Sequence, residues 1–199
     1  THTPMLNGTG LLGGYSSSQS AVIAPMPGDT NKYYIFTVDQ QAGPGGFSYS
    51  IVDMTLAGGK GDISVLNQPL LTPVTEKLTA VYDCSGDGIW VIIHGWENNA
   101  FYAYLVTAAG IAPPVISNIG SVHQGSSTNE SIGYMKTSPN GKKLALAIWY
   151  IPNNDVEVFD FDNTTGVVSN PLYLPTIGEG YGISFSPDNS KLYVTFVTT

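Results

Sequence analysis

The chain has 199 residues, 42% of them apolar and only 11% charged, with a formal net charge of −8 from 15 acidic and seven basic residues. This balance opposes disorder, which pairs low hydrophobicity with high charge, and points to a packed core. All seven basic residues are lysines, and they form no basic stripe, so neither nucleic acid nor an anionic membrane surface is an expected partner. An apolar run of about 18 residues, needed for a membrane span, is missing.

In chain order, residues 5–14 read as the closing strand of a preceding unit. A first unit then offers strands over 21–24, 33–38, 47–54 and 62–66, with a tight turn at 27–31 between the first two. A second repeats the order at 78–81, 89–93, 100–107 and 115–119, with its turn at 84–88. A third follows at 132–135, 144–149, 155–162 and 167–174, turning at 139–142. A fourth begins at 181–185 and 192–196, turning at 187–190. Residues 155–162 alternate apolar and acidic, as a strand with one wet face should. Trp90-Val91-Ile92-Ile93 is apolar on both faces, as a strand sandwiched between layers should be. Gly and Pro, 36 of the 199 residues, interrupt the chain too often for a long helix.

The units repeat in sequence as well as in pattern. Ser138-Pro139-Asn140-Gly141-Lys142-Lys143-Leu144 returns 48 residues later as Ser186-Pro187-Asp188-Asn189-Ser190-Lys191-Leu192. Four strands in about 50 residues is the signature of a β-propeller blade, so the expected fold is all-β: a propeller portion of WD40/YVTN-like type. Blades are expected at 15–70, 71–125, 126–176 and, incomplete, 177–199, with 1–14 ending a preceding blade. Propellers usually close with about six to eight blades. The chain is therefore expected to be a fragment, or to close its ring as a homodimer. The missing initial Met and the start in mid-blade favour a fragment.

Several residues could carry chemistry. Glu76, Glu130 and Glu179 each precede by three positions the small residue of a first strand, and Gln19 takes the matching place in the first blade. First strands line a propeller's channel, so these four would form an arc at its mouth. Such an arc could attract a cationic partner or hold a hard cation such as Ca2+, or each Glu could accept backbone N–H groups of a neighbouring blade. Loops on the same face carry His94, Trp96, Glu97, Asn98 and Asn99, and Tyr150, Asn153 and Asn154. An aromatic ring beside amides suits a sugar, and it equally suits packing on the next blade. Asp160–Gly166 superficially suggests a calcium loop, but its spacing fits a Gly-containing hairpin better. No cofactor is expected. Catalysis finds little support: there is no nucleophile elbow, and the histidines are His2, His94 and His123. The lone Cys84 sits in a turn, with no Cys/His constellation around it.

The phrases Ser17–Ile23, Tyr33–Thr37, Glu76–Val81, His94-Gly95-Trp96, Phe101–Leu105, Ser131–Lys136 and Phe159–Asn163 together carry a resemblance. The chain resembles the propeller region near the start of large secreted surface proteins of the Bacteroidota. That resemblance implies a secreted, cell-surface location, neighbouring PKD or Ig-like repeats, type IX secretion, and a link to gliding and adhesion. It brings no chemistry to particular residues. The expected function is a non-catalytic binding or adhesion module that engages a glycan or protein on one propeller face. The alternatives are a lactonase- or hydrolase-type enzyme completed by other blades, and a structural spacer.

Overall fold

The computed structural model describes residues 4–149, 156–174 and 178–197. Antiparallel sheets follow one another along the chain. The first runs β1 (Ala21–Met26), β2 (Asp29–Val38), β3 (Phe47–Asp53) and β4 (Asp62–Leu71), neighbours in that order. The second holds β5 (Val74–Tyr82), β6 (Ile89–Gly95), β7 (Asn98–Thr107) and a short β8 (Gly110–Ile111), while β9 (Val115–His123) also pairs with β7. The third is β10 (Met135–Thr137), β11 (Lys143–Ala147), β12 (Val156–Asp162) and β13 (Val167–Leu174). A two-stranded sheet, β14 (Glu179–Phe185) with β15 (Leu192–Val197), follows. Among the described residues the only helix is a single 3-10 turn, Asn129–Ser131.

Alternation along the central strands explains the stacking. In β6 every residue is buried. Ile89, Val91 and Ile93 point to the first sheet, where they meet Tyr34, Phe36, Val38 and Phe47. Trp90 and Ile92 point the other way, onto Met135, Leu144, Leu146 and Phe159 of the third sheet. A smaller cluster of Ala145, Val156 and Ile183 joins the third sheet to the fourth. First strands lie beside first strands (β1 with β5, β5 with β10, β10 with β14), and β9 lies beside β13 at the outer rim. The result is a fan of blades.

Three expectations are corrected. Residues 5–14 do not form a strand: Leu6 makes a single parallel bridge to Asp62, and Leu12 N donates to Asn67 Oδ1, so this segment runs along β4 of the first blade. β10 starts at Met135 and not at Ile132, because the N–H groups just before it are bonded elsewhere: Gly133 N donates to Ser18 Oγ and Tyr134 N to Tyr181 O. Third, β12 has no wet acidic face along its whole length. Strict alternation puts Glu157 with Phe159 and Phe161, against the second blade, where it is fully buried. Asp155 lies outside the described residues.

Candidate binding site

The carboxylates of the expected arc are tied into the framework. Glu76, on β5, is 1% exposed. It accepts from Ser18 N (2.6 Å) and Ser18 Oγ (2.8 Å) on one oxygen and from Gln41 N (2.8 Å) on the other. Ser18 Oγ in turn accepts from Gly133 N at 2.9 Å, so one side chain links the first three blades. Gly133 has φ +118°, and a side chain there would strike the Ala147 carbonyl. Glu130 Oε2 accepts from Gln124 N at 2.9 Å, and Glu179 accepts from Trp149 Nε1. Gln19 reaches back to Ala21 O at 3.0 Å and accepts from Lys136 Nζ at 2.6 Å.

The loop residues are similarly engaged. Trp96 is only 7% exposed. Asn98 closes the turn between β6 and β7, donating to Trp96 O and accepting from Ala100 N, both at 2.8 Å. Asn99 donates weakly to Gly120 O at 3.5 Å. Glu97 holds φ +61° and donates its N–H to His123 O at 2.7 Å, and its side chain is the solvent-exposed one of the four. Tyr150, Asn153 and Asn154 lie outside the described residues. At the end of β12, Asp162 accepts from Thr164 N and Thr165 Oγ1, which builds a tight hairpin from Asp160–Gly166.

Behind that loop lies a buried polar layer that sequence reasoning missed. Lys77 is fully buried, its Nζ 2.9, 3.0 and 2.9 Å from the carbonyls of Glu130, Ser131 and Ile132. Three acceptors match the three N–H groups of an ammonium. Burial pulls its pKa down to about 7, with Glu76, Glu157 and Glu130 working against that. His94 stacks on His123 with ring centroids 4.0 Å apart, and Phe101 stands edge-on to His94. Burial holds His94 down to about 3, and burial, then His94, then Lys77 hold His123 well below its ordinary value. Burial raises the Glu157 pKa, opposed by hydrogen bonds from Ser121, whose Oγ lies 2.5 Å from Oε1. His94 Nε2, both nitrogens of His123 and Glu157 Oε2 have no protein hydrogen-bond partner. Ring lone pairs lie in the ring plane, so stacked imidazoles do not converge on one ion. Among the described residues no group of three His, Cys, Asp or Glu is arranged to hold a metal.

The accessible concavity lies along the first strands. An open groove is lined by Ala80, Tyr82, Lys136, Ser138, Ser184 and Phe185, from β5, β10 and β14 and the turn after β10. It continues beside Tyr134, Gly182, Tyr193 and Thr195. Lys136 borders both parts. Its ammonium lies 5.6 Å from the Tyr134 ring centroid, and Tyr134 meets Tyr181 edge to face. Partial burial lowers the Lys136 pKa. The turns closed by Asp83–Gly88, Ser138–Lys143 and Ser186–Lys191 set the blades in register and put Lys136 where the neighbours have Val81 and Ser184. A lysine at a place otherwise filled by neutral residues was the sequence signal for this site.

No protein-family model matches the sequence, and no curated protein sequence matches it significantly. Solved structures do resemble it. Hydrazine synthase from Kuenenia stuttgartiensis is 16% identical, with a TM-score of 0.53, over 100% of this chain and 45% of that one. A protein from Bacteroides fragilis provisionally assigned as a 6-phosphogluconolactonase is 14% identical, with a TM-score of 0.52, over 92% of this chain and 50% of that one. The chain thus spans about half the length of these structures. At such identities the likeness is one of fold. Together with the fan of four-stranded antiparallel sheets, it places the chain among β-propeller-like all-β proteins.

Proposed function

We propose that the chain is a non-catalytic, glycan-binding portion of a β-propeller in a secreted bacterial surface protein, and that the ligand lies in the first-strand groove. The observation that carries this reading is the composition of that groove. Tyrosine rings offer flat apolar faces, Ser184 and Thr195 offer hydroxyls, and Lys136 offers N–H donors. A few placed polar groups among aromatic faces is the usual make-up of a small-molecule site. Among the described residues histidine chemistry has no route to a substrate, since His94 and His123 are both fully buried. The buried carboxylates Glu76 and Glu157 accept hydrogen bonds within the protein. Location on a secreted adhesion-type protein, beside further domains, rests on the sequence resemblance alone.

The test is calorimetric titration of the chain with a panel of neutral and acidic oligosaccharides, run beside Tyr193→Ala, a residue that is 57% exposed and borders the groove. Saturable binding that Tyr193→Ala weakens is the expected result. Binding untouched by that change would move the site elsewhere. Turnover of any oligosaccharide or sugar lactone would replace the binding module with a hydrolase.

A further inference from the structure

We infer that the groove recognises a carboxylate-bearing sugar, with the Lys136 ammonium as the group that meets the carboxylate. This rests on the glycan-binding reading above and names the ligand class for the same site.

The argument starts from the seven lysines, all of which are described. Lys60, Lys142 and Lys191 are exposed, where water solvates the charge. Lys32 pairs with Asp29 at 3.2 Å, and Lys143 with Asp160 at 2.5 Å. Lys77 is buried, but three carbonyls enclose it. Lys136 differs from all of these. It is partly withdrawn from water, and among the described residues no carboxylate pairs with it. The acceptor recorded for its Nζ is the neutral Gln19 Oε1 at 2.6 Å, and a ring face stands on another side. An ammonium taken partly out of water without a counter-ion is costly, and proteins normally pair such a charge. The chain has 15 acidic residues available for that purpose, yet Val81 and Ser184 hold the equivalent positions on either side. No described carboxylate supplies the counter-charge, and we assign it to the ligand.

The surroundings restrict what brings it. Phosphate and sulfate are best held by arginine forks or by several cations, and this groove has one lysine and no arginine. A single carboxylate needs one cation. Tyr134 and Tyr193, with Ser184 and Thr195, suit the ring face and hydroxyls of the sugar that carries it.

The experiment compares an oligogalacturonate with its methyl ester, which keeps the sugar and removes the charge, on the wild-type chain and on Lys136→Met. The wild type should bind the acid about tenfold or more tighter than the ester, the gain of a charge-assisted hydrogen bond, and added salt should narrow the gap. Lys136→Met should bind both alike. Equal affinity of the wild type for acid and ester would overturn the carboxylate assignment and leave the glycan module standing. So would binding of neutral oligosaccharides with none of the acid. Failure of every sugar to bind would overturn both. The wild-type comparison needs no variant, so a poorly folded Lys136→Met cannot obscure the answer.

Discussion

Two interfaces between blades, built from the same repeat, are held by different physics. Between the first and second blades the contact is almost wholly apolar. Phe36, Phe47 and Tyr104 stack around Val91 and Ile93, and the polar partner is Glu76, whose three hydrogen bonds all come from the first blade's entering segment and its β2–β3 loop. Between the second and third blades the middle is apolar in the same way, around Trp90, Ile92 and Phe159. One end, though, is filled by Lys77, His94, His123 and Glu157, all buried. Dispersion and the hydrophobic effect make the first interface strong and indifferent to protons. The second depends on the protonation states of four enclosed groups. Gly120 shows how tightly it closes: any side chain there would press on Phe159 and Glu157.

The largest expected effect is at Lys77. Lys77→Met keeps the stem's volume but leaves the Glu130 and Ser131 carbonyls without their donor, Ile132 O with Trp149 N alone, and Glu157 without its buried cation. We expect a loss of about 3 kcal/mol, in line with breaking a buried charge–acceptor set. Urea unfolding followed by far-UV circular dichroism would measure it. A variant as stable as the wild type would mean that the Glu130 and Ser131 carbonyls find water instead.

Acid should separate the two interfaces next. In the unfolded chain a histidine takes up a proton near pH 6.5. In the folded chain burial holds His94 down to about 3 and His123 well below its ordinary value. Below about 6.5 the unfolded state therefore binds more protons, and stability falls as pH falls. Glu157, raised by burial, works the other way, since its protonation relieves a desolvated charge. At pH 5 each histidine should cost about 2 kcal/mol relative to pH 8. His123→Gln should remove its share, leaving a flatter profile of unfolding midpoint against pH. Phe36→Ala, across the first interface, should lower stability equally at both pH values. If His123→Gln keeps the full acid loss, the stacked pair is not its source.

The contrast also marks what could be read from the sequence. Blade order, turns and strand centres were legible because they rest on local signals: the Ser-Pro turn, period-2 apolarity, and the doubly apolar Trp90–Ile93. The polar layer was not, because its members lie far apart in the chain and meet only through stacking. Lys77 follows Glu76, and a pair of adjacent charges reads as surface. Alternation sends one to each side, Glu76 to the first blade and Lys77 to the third. Glu157 was assigned to a wet face by grouping residues according to type, although counting positions puts it with Phe159. Trp96 looked like a ring at a loop tip. Its loop is a four-residue turn too tight to project it, and the neighbouring amides are consumed by backbone groups.

That turn supplies the smallest and most local test of the comparison, because it caps the polar end of the second interface. Glu97 N donates to His123 O, so the turn's shape fixes one flank of the histidine pair. Asn98 holds that shape through two hydrogen bonds of 2.8 Å, to Trp96 O and from Ala100 N. Asn98→Ala should cost about 1 kcal/mol, the net worth of such bonds when water replaces part of them. It should also flatten the acid loss, because a loosened cap admits water to His123 and lets the folded state take up that proton nearer the ordinary histidine range. Affinity for any sugar bound in the first-strand groove should not change, since the groove is lined from β5, β10, β14 and β15. Unfolding midpoints at pH 8 and pH 5, with calorimetry on the same sample, separate the two roles. Lost affinity at unchanged stability would return the ligand to the Trp96 loop; lost stability at unchanged affinity assigns Asn98 to the cap over the histidines.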